Sequence, residues 1–357
     1  MLKKKGKRMR LYIISACCIF IALFVFLSIR QDLWETKELA IDDEQSGLNE
    51  NVIINFSHVV AENTPKGVAA TKFAELVHEK SNGEIIVEIH PNGILYNDDT
   101  EVKALQNGSV QMIAPTFSKM TSHIPSWHIL DLPFLFDNDA QVYVGLTGPL
   151  SEKLLKDLGK IDIKGLTFWR NGFKQIATQK TPILEVEHFK NVRIRTMASV
   201  VLQQQYHLLD ALPITTTFNE LYRSIEKKQV TAQENTISNL YSKGFYELQT
   251  EITLSNHGLL AYAVMMNESF WNNLSSKHKH IIEQALQEMS KWQHESAIKM
   301  NEENLKKLQQ KEHVNIYTLT DAQKQSWKEQ LSPIYDIYNN SYYEQLLKEL
   351  QIEHDQK

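Results

Sequence analysis

The spacing of apolar positions changes period several times along the chain. Val52–Ser57 (VIINFS) predicts a strand. After it, Val68, Phe73, Leu76 and Val77 fall on one helical face, with Thr64 as N-cap and Pro65 in the first turn. Ser81-Asn82-Gly83 ends that helix, and Glu84–His90 alternates as a second strand. A helix over Asp98–Asn107 leads into a strand over Val110–Pro115. This β-α-β-α-β order predicts parallel strands in an α/β layer architecture.

The pattern continues beyond the apolar, Pro-containing stretch Trp127–Phe136 (WHILDLPFLF). A helix is predicted from Asn138 to about Leu158, then strands at Ile163–Trp169, Lys174–Thr178, Val192–Arg195 and Val230–Gln233. Helices over Ser199–Leu209 and Asn219–Lys228 lie between the last two strands. After the apolar run Gly258–Met266 the sequence turns helical, with one or two long helices in Ser276–Glu312 and another capped by Thr320. Two α/β lobes closed by long helices satisfy this order.

The N-terminus follows a different rule. Met1–Arg10 reads MLKKKGKRMR, and Leu11–Ile29 is nineteen residues without a charge. As a helix at about 1.5 Å per residue, that run spans about 28 Å, close to a hydrocarbon core of about 30 Å. A basic flank before such a run is the form of a Sec signal or signal anchor, with the body outside the cytoplasm. Ile14-Ser15-Ala16-Cys17 has the residue types of a lipoprotein cleavage box, so retention, cleavage and lipidation at Cys17 all stay open. Gln31–Asn51 is polar and acidic and reads as a linker.

Charge then narrows the partners. Residues 1–30 hold seven of the 38 Lys/Arg and no acid, which leaves 31 basic against 43 acidic side chains elsewhere. An acidic body argues against nucleic acid, whose phosphates need a basic face. Both cysteines, Cys17 and Cys18, lie in the apolar run, so the body has no disulfide, zinc-cysteine site or cysteine nucleophile. It also lacks a G-x-S-x-G elbow, a P-loop, G-x-G-x-x-G and H-E-x-x-H. His278 and His280 are two apart, on different helical faces, and Asn97-Asp98-Asp99 lacks the ligand spacing of a calcium loop. No catalytic residue, metal or cofactor is expected. What stands out is Arg193-Ile194-Arg195, two cations on one face of a strand. Arg suits a carboxylate because its planar fork gives two parallel charge-assisted hydrogen bonds. Spacing alone does not separate that role from a surface ion pair.

Several separate motifs carry a family resemblance. In order, they are FSHVVAENTPKGVAATKFAE (56–75), LYNDDTEVKALQNGSVQM (95–112), DLPFLF (131–136), FWRNGFKQIATQKTPI (168–183) and FKNVRIRTMAS (189–199). LPITTTFNELYRSIEKKQVTAQENTISNLYSKGFYELQ (212–249) and FWNNLSSKHKHIIEQA (270–285) follow. From about Val52 to Tyr338 the chain resembles the solute-binding proteins of TRAP (tripartite ATP-independent periplasmic) transporters, most closely their C4-dicarboxylate-binding branch. The resemblance implies a two-lobed, periplasmic-binding-protein-like fold of type II-like form, with strands crossing between lobes and a long helix spanning both. Lobe I would take about 51–171 plus 259–286, and lobe II 172–258 plus 287–345.

The resemblance also implies a site. Arg195 matches the carboxylate-clamping arginine, Asn235 the asparagine bonded to the same carboxylate, and Phe218 the aromatic pocket wall. Lys174 takes the place of a second cation that is often Arg, and His58 is a candidate partner for the ligand's far end. Thr116 stands where one sialate-binding branch has a pocket glutamate, and Asp99 is expected to be exposed. The implied function is to bind a small organic acid, such as malate, succinate or fumarate, and to deliver it to membrane permease subunits. A sensor input for a signalling partner, or a monocarboxylate or sugar acid as ligand, are the other readings. The chain is expected to be a non-enzymatic monomer, tethered to the membrane by its N-terminal segment.

Overall fold

The computed structural model describes residues 51–338, with only residues 344, 345 and 348 of the C-terminal tail. The N-terminal run Leu11–Ile29, the linker up to residue 50 and most of 339–345 lie outside the described residues. Among the described residues, no helix is long and apolar enough to cross a membrane.

The strands are β1 (Val52–Ser57), β2 (Ile85–His90), β3 (Met112–Ile113), β4 (Ile163–Thr178), β5 (Arg193–Thr196), β6 (Leu212–Thr215), β7 (Ala232–Asn235), β8 (Glu251–Asn267) and β9 (Asn315–Thr318). They form one sheet in the order β2-β1-β3-β8-β4-β7-β5-β6, with β9 also on β8. β1 is parallel to β2 and β3, and β5 is parallel to β6 and β7. Antiparallel β4 and β8, 16 and 17 residues long, connect these two parallel sets. The mixed α/β, two-lobed architecture expected from the sequence is the one observed.

Both faces of this sheet are covered. Along β8, Leu259, Ala261, Ala263 and Met265 enter one apolar core, while Leu260, Tyr262, Val264 and Met266 enter another. Burial on both sides explains the unbroken apolar run at 258–266, which shows no alternation to count. It also explains why two separate strands were expected where β4 is one. The intervening Arg170 and Asn171 are buried by the fold and not by their own character.

Two irregularities mark where β4 and β8 pass from one parallel set to the other. The register shifts between Arg170 and Gly172, and again between Lys174 and Ile176. At the second shift, residues 254–257 of β8 lie opposite Gln175 alone. The Gln175 side chain accepts from the Ser255 and Asn256 amides and donates to the Asn256 side chain at 2.7 Å, replacing the lost ladder bonds.

One unbroken helix, Ser276–Gln309, crosses the same point. Its Gln293 accepts from the Arg170 amide and donates to the Arg170 carbonyl. Its Asn301 donates to the Asn171 carbonyl at 2.8 Å and accepts from the Ser238 amide. A Cβ on Gly172 would meet the Asn301 side-chain amide at 2.9 Å, so a side chain there would push Asn301 away from its bonds to the Asn171 carbonyl and the Ser238 amide. Asn301→Ala orphans buried backbone groups on two elements, and a loss of about 1–3 kcal/mol is expected in urea unfolding.

Three sequence expectations change. The helix over 138–158 is two, Asp139–Thr147 and Pro149–Asp157, because Gly148-Pro149 ends one and starts the next. The helix over 98–107 shortens to Glu101–Gln106, and the strand over 110–115 keeps only β3 with a bridge at Thr116. β6 and β9 were not foreseen, since each has half-exposed, short and weakly alternating residues.

Candidate functional site

The carboxyl ends of parallel β1, β3, β5 and β7 converge, which is where open α/β sheets place their ligands. A cavity opens there, walled by Val59, Val60 and Thr116 beyond β1 and β3, and by Asp98 and Glu101 at a helix start. From the other parallel set come Arg195, Met197, Phe218, Asn235 and Asn239, with Leu260 and Tyr262 of β8 between. The water-sized space is small, about 30 Å³.

Arg195 is 3% exposed, whereas Arg193, on the same strand face, is exposed and bonded to the Lys228 and Gln229 carbonyls. The Arg195 Nε and Nη2 both donate to the Thr216 carbonyl, at 3.0 and 2.8 Å. That contact fixes the plane of the guanidinium and leaves Nη1 outside it. Burial disfavours the charge, against attraction from Asp98, Glu234 and Asp99. A buried guanidinium held by one neutral carbonyl on a cavity wall is not a surface ion pair.

Asn235 is fixed beside it by a chain of amides. Its Oδ1 accepts from the Thr236 amide and from Asn239 Nδ2 at 2.9 Å, and its Nδ2 donates to Gln233 at 3.0 Å. Asn171 extends the chain, donating to the Tyr262 hydroxyl at 2.7 Å. Burial raises the Tyr262 phenol to about 12, so it stays neutral. Phe218 stands edge-on to Phe245, and its amide donates to Asp98 Oδ2 at 3.3 Å. Thr116 lines the cavity with its Oγ1 buried and, among the described residues, without a hydrogen-bond partner.

Two expected ligand residues sit elsewhere. Lys174 is not on the cavity wall: its Nζ lies 2.9 Å from Glu234 Oε1 and 3.9 Å from Asp131 Oδ1. Neighbouring strand residues point to opposite faces, so Asn235 faces the cavity while Glu234 turns to Lys174, Tyr206 and His257. Burial opposes the Glu234 charge, but Lys174 and His257 outweigh it and hold the carboxyl down at about 2. His58 is buried, while Val59 and Val60 after it reach the cavity. Desolvation, with nearby Lys66, lowers the imidazole to about 3 despite the Val60 backbone, so it is neutral. Asp99 is exposed as expected, its carboxylate 2.5 Å from Lys119.

Other polar groups were missed. Lys66 is fully buried, donates to the Ala114 carbonyl at 2.8 Å and stands 3.9 Å over the Tyr262 ring. Burial lowers its ammonium to about 8, against attraction from Glu101 and Asp98. Asp98 meets Lys119 at 3.4 Å. Glu101 has zero exposure, and neither carboxyl oxygen has a partner among the described residues. Burial raises it to about 8, Lys66 and Lys119 opposing and Asp98 reinforcing. A Lys in a first helical turn and acids at the next helix start look like ordinary solvated charges. Only the fold buries them.

Fold and cavity together define an extracytoplasmic-type solute-binding architecture, with a buried guanidinium on a cavity between two halves of one sheet. A family model described as bacterial extracellular solute-binding protein, family 7, matches residues 56–344. The chain belongs to this family, that of TRAP transporter solute-binding proteins. It is 44% identical over 314 residues to the C4-dicarboxylate-binding protein DctB of Bacillus subtilis, covering 88% of this chain and 90% of that one. The C4-dicarboxylate-binding periplasmic protein DctP of Rhodobacter capsulatus is 36% identical over 290 residues, covering 81% and 87%. A TRAP periplasmic solute binding protein from Sulfurospirillum deleyianum, solved with bound succinate, superposes with a TM-score of 0.81 at 36% identity, covering 84% and 98%.

Proposed function

We propose that this chain binds a C4-dicarboxylate such as succinate, malate or fumarate and presents it to a membrane permease. One carboxylate lies on Arg195 and Asn235, against Phe218. The carrying observation is the buried Arg195 fork, held by Thr216 beside Asn235 at the cavity wall. The far carboxylate faces Lys66, which like Lys174 is buried and off the cavity wall, but whose ammonium lies 3.9 Å over the ring of the wall residue Tyr262. The residues are a binding set: they hold an anion, and no nucleophile is paired with a base among them.

Lobe I is about 51–171 with 259–286, and lobe II is 172–258 with the C-terminal helices. The register shifts at 170–176 support hinge points there, and the helix Ser276–Gln309 strides the proposed boundary. Asp98 with Phe218, and Lys243 with Asn92 at 3.4 Å, are contacts between these lobes that an opening motion would break. Contacts made only in the closed form are what let a ligand shift the population toward it. Residues 11–29 hold the protein at the extracytoplasmic face of the cell membrane, and carbonate extraction is expected to leave it in the membrane fraction.

Titrating the full chain in detergent with succinate, malate and lactate by calorimetry tests the ligand class. Saturable heat is expected for a dicarboxylate and a much weaker response to lactate. Silence with every dicarboxylate, or a preference for lactate, overturns the reading.

A further inference from the structure

A buried carboxyl group with no protein donor is costly when ionised. Glu101 has that setting on the cavity wall: it is fully buried, and neither of its oxygens has a hydrogen-bond partner among the described residues. The groups around it come from six segments of the chain. Lys66 faces it from the helix Pro65–Lys80, Asp98 from the preceding loop, and Lys119, paired with Asp98 and Asp99, from the helix Phe117–Met120. Tyr262 of β8 and Arg195 of β5 share the cavity wall, and neutral His58 lies near Lys66 beyond β1. A dianionic ligand beside ionised Asp98 and Glu101 would set four carboxylate charges against Lys66, Arg195 and Lys119. A neutral Glu101 removes one of them and supplies an O–H where the ligand needs a donor.

We propose that Glu101 is the proton-carrying residue of the clamp: its neutral carboxyl group donates a hydrogen bond to the ligand's far carboxylate, so the dianion is bound together with one proton. This rests on the dicarboxylate reading of the site. The proton comes from solvent and forms the O–H bond on a Glu101 oxygen; no bond in the ligand changes. A charge-assisted O–H···O⁻ bond is short and directional. It makes Glu101 a reader of anionic ends, because an amide or ester there would not hold the acid proton as strongly. The residue's ordinary role as a solvated helix-start acid is excluded by its burial.

The test is calorimetry of the full chain with succinate in buffers of different ionisation enthalpy. Near pH 9, Glu101 is expected to contribute close to one proton of uptake per succinate and Lys66, also lowered to about 8, up to one more, with affinity falling by about ten- to a hundredfold per pH unit above about 8. Glu101→Gln carries an amide donor that does not titrate; its affinity is expected to change less with pH and its uptake to drop, any remainder belonging to Lys66. In wild-type protein, infrared difference spectra near pH 9 are expected to gain a carboxylic-acid carbonyl band on adding succinate, a readout that stands if the variant does not fold. Succinate binding without buffer-dependent heat and without that band, or equal uptake by wild type and Glu101→Gln, overturns the proposal alone. Absence of binding by any dicarboxylate overturns the clamp reading and this proposal with it.

Discussion

Arg195→Ala is expected to reduce succinate affinity by roughly 30- to several-thousand-fold, because removing one partner of a buried hydrogen-bonded charge pair costs about 2–5 kcal/mol or more. The size follows from where the guanidinium sits. It is buried, and among the described residues it donates to the neutral Thr216 carbonyl, so a ligand carboxylate is its natural counter-charge. Arg195→Lys keeps the charge and loses the fork, and most of the affinity is expected to go with it. Arg193→Ala serves as the control: Arg193 is exposed and bound to the Lys228 and Gln229 carbonyls. A change of no more than about threefold is expected there, surface contacts being worth about 0–1 kcal/mol. Calorimetry on the three variants decides it, and a larger loss at Arg193 than at Arg195 would move the clamp.

The contrast between these two arginines shows what the chain makes legible. Period and caps placed β1, the Thr64 cap and the Thr320 cap at the observed positions. Local chemistry decides such features, and local chemistry is written in order along the chain. The two-residue spacing put Arg193 and Arg195 on one face, yet one is solvated and the other buried. Burial of that kind depends on which strand lies next door, and β5 gains β6 on one side and β7 on the other only after the chain has crossed itself.

The same limit hid the burial of Lys66 and Glu101. Lys66 and Glu101 belong to motifs that carried the family resemblance, but nothing in T-P-K-G or T-E-V-K states that those charges are enclosed. The fold packs the first turn of one helix and the start of another against Tyr262, itself from a strand about 160 to 200 residues away in sequence. Lys174 lies off the cavity wall for a related reason. The family resemblance put it in the place of a second pocket cation, whereas strand alternation in β7 gives Asn235 to the cavity and Glu234 to the lysine. A register error of one residue reverses that assignment. Sequence motifs located the right strands, and the pleat chose which side chain each strand shows.

Lys174→Met is accordingly expected to act on stability and not on ligand contact. Removing one member of a buried ion pair leaves the other uncompensated and costs about 3–5 kcal/mol. Glu234 would keep Tyr206 at 2.8 Å and His257 at 3.2 Å, which moderates the loss toward the lower figure. Urea unfolding of wild type and variant measures it. The pH dependence supplies a second reading with a definite sign. In wild-type protein Glu234 is held at about 2, below its usual 4.5, so between these values the unfolded chain binds more protons and stability falls as pH falls. Lys174 is the largest attraction opposing burial of that charge, so Lys174→Met is expected to narrow this acid-sensitive window. Succinate affinity of the folded variant is expected to stay within about tenfold of wild type, an allowance of about 1.4 kcal/mol for indirect effects through Asn235. Full stability with lost binding would instead return Lys174 to the ligand and remove Lys66 from the role given to it here.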